Sequence, residues 1–145
     1  MNPSAAGFLL ACEQKGLKYQ EPKVLSNGKT VVPLPVSGSH GNQYTVRFFF
    51  DADGTQVSIR IFGLVTVQPT IYSRMVMRCN TMNNRFPFVK FVVDQDLDLN
   101  LEMDCLVTPE TAGTVCVEMF SYFLGIAKEA YPEILNSYPL PGESF

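Results

Sequence analysis

The chain has 145 residues, 46% of them hydrophobic, with 11 basic and 14 acidic side chains and a net charge of −3. That length is about one domain, with enough apolar material to bury a core without staples, so a disordered tail is excluded. The Lys and Arg residues are scattered rather than clustered, which argues against nucleic acid as a partner, and no apolar run approaches the ~18–20 residues of a membrane span.

The first element is a helix. Asn2 stands at its N-cap and Pro3 at its first position. Ala5, Phe8, Leu9 and Cys12 recur at helical spacing. Gly16 is placed for a left-handed stop, with Leu17 as its hydrophobic contact. The apolar stretch 5–12 lacks a basic leader and is broken by Gly7, so no signal peptide is expected and the expected location is cytoplasmic.

Residues 19–25 and 29–36 read as strands around Asn27-Gly28, a pair suited to a tight hairpin turn. Pro22, Pro33 and Pro35 cannot donate to a ladder, which places this pair at a sheet edge or leaves it irregular. Residues 37–42 form a Gly/Ser loop holding His40, the one histidine. Residues 44–50 and 57–62 form the clearest hairpin, turned by Asp51-Ala52-Asp53-Gly54. Val57, Ile59 and Ile61 alternate with polar residues, the mark of one buried face. Phe48-Phe49-Phe50 is apolar on both faces, as in a central or doubly covered strand.

Pro69 opens a second helix over 71–82. Ile71, Met75, Cys79 and Met82 form its stripe, and Asn83-Asn84 stops it. Residues 88–93 and 97–103 form the final hairpin. There Leu97, Leu99, Leu101 and Met103 alternate with Asp98, Asn100, Glu102 and Asp104. The polar side is either a solvated face or an acidic strip for a basic partner segment. Thr108 as N-cap and Pro109 as first residue predict a third helix, with Val115, Met119, Tyr122, Phe123, Ile126 and Ala130 on one face. After Pro132 a short helical turn to Tyr138 and then a frayed end are expected, with residues 138–141 read as a short polyproline segment.

No catalytic constellation emerges. The acidic turn at 51–54 fails as a calcium loop, because the register that puts Gly54 sixth puts Phe49 first and Arg60 twelfth. The repeat Asp96-x-Asp98-x-Asn100 fails likewise, with Leu101 sixth and Val107 twelfth. Cys12, Cys79, Cys105 and Cys116 lack metal-site spacing and read as four reduced thiols used as small hydrophobes. No cofactor, no metal and no enzymatic activity are expected.

The order α-β-β-β-β-α-β-β-α predicts an α+β fold with an antiparallel sheet packed by helices. Together with Phe48-Phe49-Phe50-Asp51-x-Asp53-Gly54 and Asn83-Asn84-Arg85-Phe86-Pro87-Phe88-x-Lys90-Phe91-x-Val93-Asp94, it resembles the YbjN-domain family over residues 5–131. The chain departs from that pattern by a longer proline-containing stretch at 23–42. The resemblance implies the fold of type III secretion chaperones and a non-enzymatic bacterial protein of regulatory character, with no catalytic residues to carry over. Such folds dimerise through a helix and adjacent strand and hold an extended client segment. On that reading residues 1–145 are one domain with its core at 5–131 and a tail at 132–145. A homodimer is expected, built on Ile71, Met75, Cys79, Met82, Phe86, Phe88 and Lys90, with sheet edges open to a client peptide or protein. The alternative is a small-molecule pocket between the sheet and the last helix, with Tyr122 or Tyr131 at its mouth.

Overall fold

The computed structural model describes residues 1–38 and 40–138. Among these residues three α-helices, α1 (Pro3–Lys15), α2 (Tyr72–Arg85) and α3 (Ala112–Leu135), accompany six strands: β1 (Lys23–Val24), β2 (Thr30–Ser37), β3 (Gln43–Phe50), β4 (Gln56–Thr66), β5 (Lys90–Val93) and β6 (Asp98–Leu106). The strands form one antiparallel sheet in the order β1-β2-β3-β4-β6-β5. Element types and order are those expected, and the fold class is α+β.

Period-two alternation sets the two faces of the sheet. Leu34, Val46, Phe48, Phe50, Ile59, Ile61, Leu101 and Met103 are buried on the inner face. Phe8 of α1 packs on Phe48 and Phe50 with ring centroids 4.4 and 5.8 Å away, and Phe120 of α3 meets Phe48 at 6.0 Å. Burying such aromatic side chains contributes on the order of 1.5–3 kcal/mol each. α1 and α3 approach closely because Gly7 and Gly113 carry no Cβ. One added at Gly113 would lie 3.0 Å from the carbonyl oxygen of Gly7.

Local rules hold at several joints. Asn2 Oδ1 accepts the Ala5 amide at 2.9 Å, and Gly16 closes α1 at φ 69°. The acidic turn has a docking role. Its Asp51 and Asp53 carboxylates accept the Thr55 amide at 3.0 Å each. Its backbone accepts from α1, with Asn2 Nδ2 donating to Asp51 O at 3.0 Å and Ser4 Oγ to Gly54 O at 2.5 Å.

Four expectations need correction. Only Lys23 and Val24 of the expected strand 19–25 pair with β2. Beyond them Gln20 N–H donates to Pro33 O at 2.8 Å, and Pro33 and Pro35 offer no amide to continue a ladder. α2 runs three residues past its expected stop, because Asn83 turns its amide to β5 instead of ending the helix. α3 begins at Ala112. Thr108 instead opens the preceding turn, its Oγ1 accepting the Thr111 amide at 3.2 Å. Finally, residues 132–138 belong to the core rather than to a tail outside it: the expected helical turn is a continuation of α3 through Pro132 to Leu135, and Ile134 and Ser137 are fully buried. The polyproline reading of 138–141 lies, beyond Tyr138, outside the described residues.

Candidate functional site

The segment from α2 to β5 is built around a side-chain amide. Asn83 Oδ1 accepts the Phe91 N–H at 2.6 Å, and Asn83 Nδ2 donates to Phe91 O at 3.1 Å. β6 is the partner on the other side of β5, so Phe91 presents its peptide groups to the open edge of the sheet. The Asn83 amide stands where a neighbouring strand's peptide would stand. At the opposite end, Pro33 and Pro35 deny an incoming strand the donors it would need. The described edges are thus blunted in the way natural sheets avoid edge pairing, and this weighs against the expected capture of a client strand.

The remaining residues of the same motif join α2 to α3. Arg85 makes a two-pronged pair with Glu133, at 2.9 Å to Oε1 and 2.7 Å to Oε2, and its guanidinium lies 4.4 Å from the Phe86 ring centre. The hydrogen bond from Arg85 holds the Glu133 carboxyl below the usual carboxylate range. Tyr122 Oη donates to Pro87 O at 2.9 Å.

The residues expected to form the dimer surface separate into two groups. Ile71, Met75, Cys79, Met82 and Phe86 are buried in the core and offer no surface to a partner. Their helical stripe is real, but it faces this chain's own sheet. Phe88 and Lys90 are exposed. Lys90 lies on the open face of the sheet, 3.7 Å from Glu102. Phe88 is 80% exposed and holds φ at 71°, a left-handed conformation costly for an aromatic residue. Its ring meets Tyr122 edge-on at 6.3 Å. On α2 itself the exposed apolar residues are Tyr72, Val76 and Met77, with Met77 71% exposed. Positive φ at a non-glycine is not visible in a sequence. The exposed helix face was legible as the complement of the buried stripe.

Arg85, Lys90 and Asp104 do not converge. Arg85 is engaged with Glu133, whereas Lys90 and Asp104 lie on the sheet's open face, where Arg60 pairs with Asp104 at 2.9 Å and Glu102 at 4.0 Å. That face is a charge-paired surface rather than a uniformly acidic strip. Asn100, expected on the wet side of β6, is buried. Its Oδ1 accepts the Gly63 amide at 2.8 Å and its Nδ2 donates to Asp94 Oδ2 at 2.9 Å, tying the β4 bulge to the β5–β6 turn.

A cavity of about 220 Å³ does lie between the β2–β3 end of the sheet and α3, lined by Tyr44, Leu124, Ala127 and Tyr131, with His40 stacked on Tyr131 at 5.6 Å. Its volume falls below the ~300–1,000 Å³ usual for ligand pockets. Tyr122 takes no part in it, being held at Pro87. All four cysteines are free thiols. Burial pushes Cys12, Cys79 and Cys105 up to about 11 and Cys116 higher still, so they are poor nucleophiles near neutral pH. Among the described residues no group of His, Cys, Asp or Glu is arranged to hold a metal ion. No helix among them is long and apolar enough to cross a membrane.

No family model matches the chain, and no curated protein matches it in sequence. Among solved structures the chain is similar to the crystal structure of YbjN from E. coli, a candidate transcription regulator. The TM-score is 0.60 at 14% identity, over 89% of this chain and 92% of that one. At that identity the likeness is one of fold, and it agrees with the resemblance carried by residues 48–54 and 83–94.

Proposed function

We propose that the protein is a non-enzymatic regulatory module that binds protein, and that it self-associates through the side bearing Phe88 and the outer face of α2. The observation that carries this reading is Phe88. An aromatic side chain 80% exposed and held at φ 71° gains little from folding and costs backbone strain. Such a residue is explained if a partner covers it, since aromatic side chains are favoured anchors in interface centres. Met77 and Val76 add exposed apolar surface on α2. The blunted strand edges favour docking by side chains over strand addition. The regulatory part of the reading is supported by the fold likeness to YbjN.

Sedimentation velocity over a concentration series tests the proposal. The native chain is expected to dimerise in the micromolar range. Phe88→Asn, which suits a left-handed backbone, is expected to keep the fold and lose the dimer. A native chain that stays monomeric at 100-fold higher concentration (roughly the weak end of specific association) overturns it, as does a Phe88→Asn variant that dimerises normally.

A further inference from the structure

The open face of the sheet carries a second site. A groove of about 550 Å³ lies over β2, β3 and β4, lined by the aromatic rings of Phe49 and Phe62, by Val31, Pro33 and Leu25, and by Arg47. Phe49 and Phe62 meet edge-on at 6.1 Å, and Phe62 remains 46% exposed. The volume lies within the ~300–1,000 Å³ range of small-molecule sites. Lys23 and Glu21, one charge of each sign, also line it.

The charge inside the groove names the occupant. Arg47 lies directly across from Arg60 in the β3–β4 register. Arg60 is neutralised by Asp104 at 2.9 Å and Glu102 at 4.0 Å. Arg47 is half-buried, yet it has no hydrogen bond, ion pair or ring contact with any described residue. A half-buried guanidinium without a partner, in a groove lined by aromatic rings, lacks the planar anion its fork geometry fits.

We infer that this groove binds a small anionic amphiphile, a monocarboxylate with an apolar body. Its carboxylate takes a two-pronged hydrogen bond from Arg47 and its body lies on Phe49 and Phe62. The site is on the sheet face, apart from α2 and Phe88, so it stands or falls independently of self-association.

Isothermal titration calorimetry with dodecanoate and with 2-naphthoate tests it, with dodecanol and dodecyltrimethylammonium as uncharged and cationic controls. Either carboxylate is expected to bind the native chain, and the tighter of the two identifies the body as aliphatic or aromatic. Arg47→Gln is expected to weaken carboxylate binding about tenfold or more while leaving dodecanol unchanged. Phe49→Ala is expected to weaken both. A thermal melt of each variant confirms that it is folded. The inference is overturned if neither carboxylate binds the native chain at millimolar concentration. It is also overturned if the cationic amphiphile binds as well as the carboxylates, or if folded Arg47→Gln binds them unchanged.

Discussion

Asn83→Ala removes the amide that closes the sheet edge. The substitution deletes two hydrogen bonds, the Phe91 N–H to Oδ1 at 2.6 Å and Nδ2 to Phe91 O at 3.1 Å. Each intramolecular hydrogen bond is worth ~0.5–1.5 kcal/mol net, so the pair sums to about 1–3 kcal/mol. Asn83 is itself exposed. Water can therefore replace part of what is lost, which places the expected cost at about 1–2 kcal/mol. For a chain of this size that is a fall in Tm of about 3–8 °C. Urea denaturation measures the cost, and hydrogen exchange at the Phe91 amide measures its location, since that amide should lose protection before its neighbours in β6. Asn80→Ala, on the same helix and exposed, is the control and should stay within about 0.5 kcal/mol of the native chain. Asn83→Ala with native stability and native Phe91 protection would refute the assignment of the edge to this side chain.

Two further outcomes follow from single contacts. Gly125→Ala should raise stability by about 0.5–1 kcal/mol, because alanine is the better helix former and an added Cβ meets nothing within 4 Å. Gly113→Ala in the same helix should instead lower it, because the new Cβ lies 3.0 Å from a backbone oxygen of α1; thermal melts of the two variants should shift in opposite directions. Acidification should remove stability through Glu133 and Asp94, both held below the ordinary carboxylate range, the first by Arg85 and the second foremost by Asn100. The native state then binds fewer protons than the unfolded chain, so this contribution is complete above about pH 4–5 and is lost as pH falls through the depressed values. Arg85→Gln should make the acid limb of a pH–stability curve shallower, and an unchanged limb would exclude the pair as a source.

Where a residue's burial follows from periodicity, the sequence was a sufficient guide. The stripes of α1 and α2 and the alternation in β3, β4 and β6 all reach the core as their spacing implies. Periodicity says which face is buried but not against what, and this is why Ile71, Met75, Cys79, Met82 and Phe86 were expected at an interface and lie against the chain's own sheet. Asn83 shows the same limit. Asparagine pairs before a proline read as a helix stop, because its amide usually bonds locally. Here it bonds eight residues on, a tertiary contact no local rule contains. Asn100 fails for the converse reason, since a polar residue in an alternating strand is expected in water and this one is buried with its amide bonded to Gly63 and Asp94. The left-handed backbone at Phe88 and the unpaired guanidinium of Arg47 have no sequence signature at all, and they are the features from which the two binding surfaces are argued.

Self-association, as proposed, brings Phe88 and the outer face of α2 against a second copy of the chain. Backbone amide NMR spectra recorded on dilution from millimolar to micromolar concentration test it residue by residue. Concentration-dependent shifts are expected at Val76, Met77, Asn84 and Phe88, with Arg47 and Lys90 on the open sheet face unmoved. Spectra that do not change with concentration, or shifts confined to the open sheet face, would contradict it.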